Sequence, residues 1–128
     1  MIIYKETEDF KKDFKKLLKR YKTLDEDFKL LKIATIELFH TRNINNNSIF
    51  LCEGLQNNNL KGKVEIYKIK KIACRSLKNF GCNTGLRIIY FYFRENNEVK
   101  FIQIYHKNES VNEDRDRIKK YLNLSLIK

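Results

Sequence analysis

Apolar residues recur at helical spacing through the N-terminal part of the chain. The first stripe contains Phe10, Phe14, Leu17, Leu18 and Tyr21. The second contains Leu24, Phe28, Leu31, Thr35 and Leu38. Thr7 to Asp9 offers capping side chains before the first stripe, and Thr23 to Glu26 matches a capping box before the second. This pattern predicts two helices, about 9–21 and 24–40, joined by so short a turn that they form an antiparallel hairpin.

The second half of the chain shows strand patterns instead. Apolar and β-branched residues predict strands over 64–75, 86–94 and 98–107, in an antiparallel meander, while a helical pattern spans Asn112–Leu122. Ile2–Lys5 is short and apolar, which is compatible with an edge strand. The asparagine-rich segment 41–63 is a connector between parts that cannot fold alone. We therefore predict one α+β domain over 1–128: an N-terminal helical hairpin packed on an antiparallel β-sheet, with a short C-terminal helix.

Charge narrows the range of partners. The formal net charge is +11, which favours nucleic acid, an anionic membrane surface or an acidic protein. Nine cationic residues and a single acid, Glu65, occur between Lys61 and Arg94; codon bias in a Lys-, Asn- and Ile-rich chain is the alternative source of such a run. No apolar run is long enough for a transmembrane helix, and no signal peptide is expected. The odd number of cysteines without metal-ligand spacing predicts free thiols in the cytoplasm and no zinc site.

Strand alternation places two of these cations together. Lys68 and Lys70 share one face of the strand, roughly 7 Å apart, while Tyr67 and Ile69 turn to the helical hairpin. Like charges held that close are costly unless an anion binds between them, so the face suits a phosphate. A solvated strand surface is the alternative for both lysines.

Other residues near this face have alternative roles. Arg87 at a strand start also fits a loop-bracing role, and His106 also fits a buried bystander. Tyr90, Tyr92 and Tyr105 fit core or rim positions.

The residue set excludes several kinds of chemistry and favours one. No Asp/Glu cluster would hold Mg²⁺, and neither a Ser-His-Asp set nor a glycine-rich phosphate loop occurs. RNA can instead be cut by its own 2′-OH, which needs cations on the five-coordinate phosphate and groups that move two protons. Lysine and arginine on a sheet supply the cations. Histidine suits the proton transfers, and a lysine whose pKa is lowered by neighbouring cations is the alternative proton acceptor. No cofactor and no metal is expected.

Several segments resemble the RelE/ParE superfamily of toxins from bacterial type II toxin–antitoxin modules. The matching text is Ile66-Tyr67-Lys68-Ile69-Lys70, Gly85-Leu86-Arg87-Ile88-Ile89-Tyr90, Ile104-Tyr105-His106-Lys107 and Asn112-Glu113-Asp114-Arg115. The resemblance covers nearly the whole chain in element order, and residues 66–122 in motif. It implies a RelE-like microbial RNase-type fold and a cytoplasmic toxin that forms a hetero-oligomer with a cognate antitoxin.

The resemblance also implies particular site residues and targets. RelE-type members cleave mRNA on the ribosome without a metal, which implies catalytic roles for Lys68, Lys70, Arg87, Lys107 and His106. Neighbouring cations expected to bind nucleic acid are Lys71, Arg75, Lys78 and Arg115. Some RelE-type enzymes use a tyrosine beyond the last basic residue, and 108–116 has none, so either His106 takes part of its role or the chemistry is weaker. The alternatives are a ParE-type DNA gyrase poison and a non-catalytic nucleic-acid-binding module.

Overall fold

The computed structural model describes residues 1–45, 47–52, 64–81 and 83–126, and 53–63 of the predicted connector lie outside the described residues. The strands are β1 (Ile3–Glu6), β2 (Ile49–Leu51), β3 (Val64–Ile69), β4 (Leu86–Phe93) and β5 (Glu98–His106). The helices are α1 (Glu8–Leu18), α2 (Leu24–Leu31), α3 (Leu38–Arg42) and α4 (Arg115–Leu126). A π-helical segment, Lys32–Glu37, joins α2 to α3, and a 3-10 segment, Arg75–Phe80, precedes β4. Within these ranges no helix is both long and apolar enough to cross a membrane.

The five strands form one mixed sheet in the order β1-β5-β4-β3-β2. The three predicted strands pair antiparallel, as the meander pattern indicated. The description of the whole sheet as antiparallel is wrong, because β1 pairs with β5 in parallel. A parallel neighbour needs a long crossover, and the helical hairpin lies within the connection that follows β1.

The predicted hairpin packs on one face of the sheet. The Phe10 ring of α1 lies 5.2 Å from the Phe101 ring of β5, and the Phe28 ring of α2 lies 4.8 Å from it. Tyr67 and Ile69 turn to this face, as strand alternation predicted. Fully burying each such side chain contributes about 1.5–3 kcal/mol, so this core holds the helices to the sheet.

The α4 helix covers part of the opposite face. Ile118 and Leu122 pack there against Ile66, Ile89 and Phe91. The helix begins at Arg115, later than predicted, where the Asp114 carboxylate accepts a hydrogen bond of 3.0 Å from the Arg117 N–H.

Two local predictions are wrong for a shared reason. The first strand of the meander ends at Ile69 and not at residue 75, because the chain turns toward α2 and the Asp27 carboxylate accepts the Arg75 N–H at 3.0 Å. The capping box predicted at Thr23 does not form. The Thr23 hydroxyl instead donates a hydrogen bond to the Asp27 carboxylate at 2.8 Å and accepts one from the Ser76 N–H at 2.9 Å. Asp27 thus ties α2 to the segment before β4.

Candidate phosphate-binding site

Strand register brings three of the predicted cations to one end of the sheet. Lys70 follows β3, Arg87 is the second residue of β4, and Lys107 follows β5. Arg87 is paired with Tyr105 across the β4–β5 ladder, and Lys68 with Ile89 across the β3–β4 ladder. Because paired residues share a face, these side chains project from the face opposite the helical hairpin.

Around these cations lies an open pocket of about 300 Å³, which we call the cationic pocket. Its lining residues are Asn47, Phe50, Lys70, Lys71, Asn83, Gly85, Arg87 and Lys107. Four of them are cationic, and within the described ranges no carboxylate lines the pocket or pairs with these four. Such a concave surface attracts anions, and phosphate oxygens suit both its guanidinium and its ammonium groups.

Backbone contacts hold Arg87 at the pocket wall. One terminal nitrogen of its guanidinium donates to the Lys70 carbonyl at 2.9 Å and to the Leu86 carbonyl at 3.1 Å. These bonds fix the direction of the planar group without neutralising its charge. The loop-bracing contacts predicted for Arg87 are therefore present, and the other N–H groups of the guanidinium can still donate hydrogen bonds to an anion.

Gly85 lets the β4 start approach the end of β5. Its φ is +87°, and a Cβ atom there would lie 2.9 Å from the His106 Nε2 atom. The Gly85 carbonyl accepts the Lys107 N–H at 2.8 Å. Only glycine combines this backbone conformation with this contact, so the β4 start and the segment after β5 are held side by side.

Lys68 lies on the same face but is neutralised within the protein. Its ammonium group pairs with the Glu113 carboxylate, and only 17% and 6% of the two side chains are exposed. Burial acts to lower the pKa of Lys68 and to raise that of Glu113, but their mutual hydrogen bond reverses both shifts, so the lysine pKa is raised and the carboxyl pKa lowered. Arg115 also contacts Glu113, at 3.2 Å.

His106 points to the hairpin side of the sheet, away from the cationic pocket. Its Nε2 atom donates to the Thr84 carbonyl at 2.9 Å, and its Nδ1 atom accepts the Asn108 N–H at 3.1 Å. The ring stacks on Tyr21 with centroids 6.3 Å apart. Both ring nitrogens of His106 therefore have hydrogen-bond partners within the protein.

The other predicted nucleic-acid-binding cations separate into three groups. Lys71 lines the cationic pocket. Arg75 pairs with Asp27 at 3.2 Å, and Arg115 pairs with Glu113, so each has an internal carboxylate. The side chain of Lys78 lies outside the described residues.

Sequence reasoning missed three residues at this end of the sheet, since Phe50, Asn47 and Asn83 line the cationic pocket. Tyr105, predicted at a core or rim position, is buried beside Arg87 on the paired strand. Burial raises the pKa of Tyr105, against the opposing positive charge of Lys68 and Arg87. The pairing register of β4 with β5 is the signal that could have placed Tyr105 next to Arg87. Phe50 and Asn47 lie in the connector, where no periodicity indicated a position in the sheet.

No protein-family model matches the chain, and no curated protein matches it. Among solved structures it is similar to a chain in the crystal structure of the archaeal RelE–RelB complex from Pyrococcus horikoshii OT3. The alignment has 14% identity and a TM-score of 0.48, and it covers 85% of this chain and 98% of that chain.

Proposed function

We propose that this protein is the toxin of a type II toxin–antitoxin module and a metal-independent endoribonuclease that cuts mRNA on the ribosome. The observation that carries the proposal is the convergence of Lys70, Lys71, Arg87 and Lys107 on one open pocket without a lining carboxylate among the described residues. The resemblance of the three strand segments to RelE-type toxins supports the same assignment of Lys70, Arg87 and Lys107.

The proposed chemistry is attack by the RNA 2′-OH on the adjacent phosphorus atom. The O2′–P bond forms and the P–O5′ bond breaks, which leaves a 2′,3′-cyclic phosphate and a free 5′-OH. Negative charge grows on the phosphate oxygens between these steps, and Arg87 and Lys70 stabilise it from fixed positions. These cations supply the electrostatic role that a metal ion has in other nucleases.

Proton transfer requires a further group. His106 lies on the hairpin side of the sheet with both ring nitrogens hydrogen-bonded, so it moves a proton at the cationic pocket only after its ring leaves these contacts. Loss of His106 as a proton carrier would slow the chemical step with RNA binding nearly unchanged, whereas loss of a bystander would change stability alone.

A test of the proposal follows the cleavage of ribosome-bound message by purified protein. Lys70→Ala and Arg87→Ala should each lower the cleavage rate at least about 10²-fold, because each removes a charged donor from the developing phosphorane. Arg94→Ala is the matched control: it removes the same charge beyond the far end of β4, where Arg94 pairs with Glu65 at 2.8 Å. Equal rates in all three variants would contradict the proposal.

The proposed partner is an antitoxin with an acidic segment that folds on binding. Such a segment would neutralise the uncompensated cations of a chain of charge +11. Co-expression with an adjacent short reading frame should yield a stable complex. Recovery of free protein at normal yield, without growth arrest, would argue against it.

A second candidate is RNA binding without cleavage. The Lys68–Glu113 ion pair and the hydrogen-bonded His106 ring favour it, because both remove groups expected at the reacting phosphate. Under this alternative the protein binds message with the same salt dependence, but no new RNA ends appear.

A further inference from the structure

An exposed aromatic ring forms one wall of the cationic pocket. Phe50 lies in β2, an edge strand of the sheet, and 41% of the residue is exposed. It is paired with Lys68 in the β2–β3 ladder, so its side chain lies on the same face as the predicted site cations. The next residue, Leu51, is paired with Tyr67 and belongs to the other face.

Lys70 contacts this ring directly. Its ammonium nitrogen lies 5.1 Å from the centroid of the Phe50 ring, which is within cation–π range. One pocket therefore joins an aromatic surface to groups that hold phosphate. Asn47 and Asn83 line the same pocket, and an asparagine amide offers both donors and acceptors.

A nucleotide of single-stranded RNA matches these three kinds of group. Bases stack on exposed aromatic rings, phosphates bind lysine and arginine, and base edges form hydrogen bonds with amides. A duplex matches poorly, since its bases are already stacked and paired and its major groove admits few side chains. An acidic protein segment would use the cations but would not require the ring.

We propose that Phe50 is the stacking platform of a nucleobase subsite. One unpaired base of the RNA lies on the Phe50 ring, and the adjoining phosphate lies on Lys70 and Arg87. The subsite rests on the proposed function and deepens it, since it selects an unpaired nucleotide at the position of the bound phosphate.

The test compares two oligomers of equal length at constant salt. One is a short single-stranded oligoribonucleotide, and the other carries abasic ribose phosphates in place of the bases. Binding of each is measured by fluorescence anisotropy for wild type, Phe50→Ala and Phe50→Trp. The matched controls are Leu51→Ala, which shortens the adjacent side chain on the other face, and Phe80→Ala, which removes an exposed ring that does not line the pocket.

Phe50→Ala should weaken binding of the RNA about 5- to 100-fold and leave binding of the abasic oligomer unchanged, because stacking requires a base. Phe50→Trp should retain or strengthen RNA binding, and both controls should behave as wild type. A 2-aminopurine in the RNA should lose fluorescence on binding to wild type and not on binding to Phe50→Ala. Equal losses for both oligomers, or no loss for the RNA, would overturn the subsite.

The subsite and the proposed function fail in different ways. Base-dependent binding without any RNA cleavage would contradict the endoribonuclease and support the subsite. Cleavage that depends on Arg87 but is unchanged in Phe50→Ala, with unchanged RNA affinity, would support the endoribonuclease and overturn the subsite.

Discussion

Lys68 within β3 and Lys70 directly after it have opposite surroundings. Lys68 is mostly buried and pairs with Glu113, while Lys70 is exposed at the wall of the cationic pocket. Removing one partner of a buried ion pair costs about 3–5 kcal/mol, because the remaining charge has lost its counter-ion in a poorly solvated site. The Lys68–Glu113 pair therefore holds the segment before α4 against β3.

This pair should be visible in a double-mutant cycle. Lys68→Met and Glu113→Gln should each lower the free energy of unfolding, and the double variant should lose less than the sum of the two. The expected coupling is about 1–3 kcal/mol, measured by urea denaturation at neutral pH. Strict additivity would show that the two side chains do not depend on each other. Lys70→Met serves as the control, since no carboxylate pairs with Lys70 within the described ranges.

At the residue scale, the sequence predicted the sheet face to which each lysine side chain points, but it did not predict the carboxylate that pairs with Lys68. Period-two alternation placed Lys68 and Lys70 on one face, away from Tyr67 and Ile69, and the structure agrees. Glu113 lies far along the chain, and nothing local indicates that its carboxylate reaches Lys68. The catalytic roles of Lys68, Lys70, Arg87, His106 and Lys107 stay predictions.

At the element scale, one histidine joins the end of the helical hairpin to the sheet. The His40 ring of α3 stacks on Tyr92 at 3.8 Å between centroids, and its Nε2 atom is 2.8 Å from the Tyr90 hydroxyl. Burial lowers the pKa of His40 to about 4, with Glu65 opposing the shift and Arg94 adding to it. The folded state thus favours the neutral ring.

This shift predicts a loss of stability in acid. The unfolded chain binds a proton at His40 near pH 6.5, whereas the folded chain resists it until pH is about 4. The free energy of unfolding should therefore be intact above pH 6.5 and fall as pH drops through this window. His40→Gln cannot titrate and should show a smaller fall between pH 7 and 5, measured by denaturation at each pH. Identical pH profiles for the variant and wild type would rule out His40 as the source.

The presence of the main helices and strands was predictable from the sequence, but the residues at which they end were not. Both hairpin helices, the three meander strands and the terminal helix occur where the apolar periodicity indicated. The early end of β3 at Ile69 depends on Asp27, which draws residue 75 toward α2. The parallel pairing of β1 with β5 depends on which sheet edge is open, a property that no local pattern encodes.

At the scale of the whole molecule, the arrangement of charge matters more than its sum. Carboxylates pair with many cations, including Lys5, Arg20, Arg75, Arg94 and Arg117. The lining cations of the cationic pocket have no carboxylate partner in the described part of the chain. A net charge of +11 predicted an acidic partner from composition, but only the fold brings the four lining cations of the cationic pocket together at one end of the sheet.

The salt dependence of RNA binding should report how many phosphates bind at the cationic pocket. The logarithm of the association constant for single-stranded RNA should fall linearly with the logarithm of salt concentration, with a slope of about −0.7 for each phosphate neutralised. Arg87→Ala should make the slope less negative by about 0.7, while Arg94→Ala should leave it unchanged. A slope that is the same in wild type and Arg87→Ala would mean that Arg87 does not contact phosphate.

The chemistry of the RNA ends tests the central claim most directly. Ribosome-bound message is incubated with the purified protein, and the new ends are identified by their susceptibility to phosphatase and kinase. A 2′,3′-cyclic phosphate paired with a 5′-OH is the expected result, and Arg87→Ala should produce these ends at least about 10²-fold more slowly. A 5′-phosphate, or no new end with RNA still bound to the cationic pocket, would contradict cleavage by the RNA's own 2′-OH.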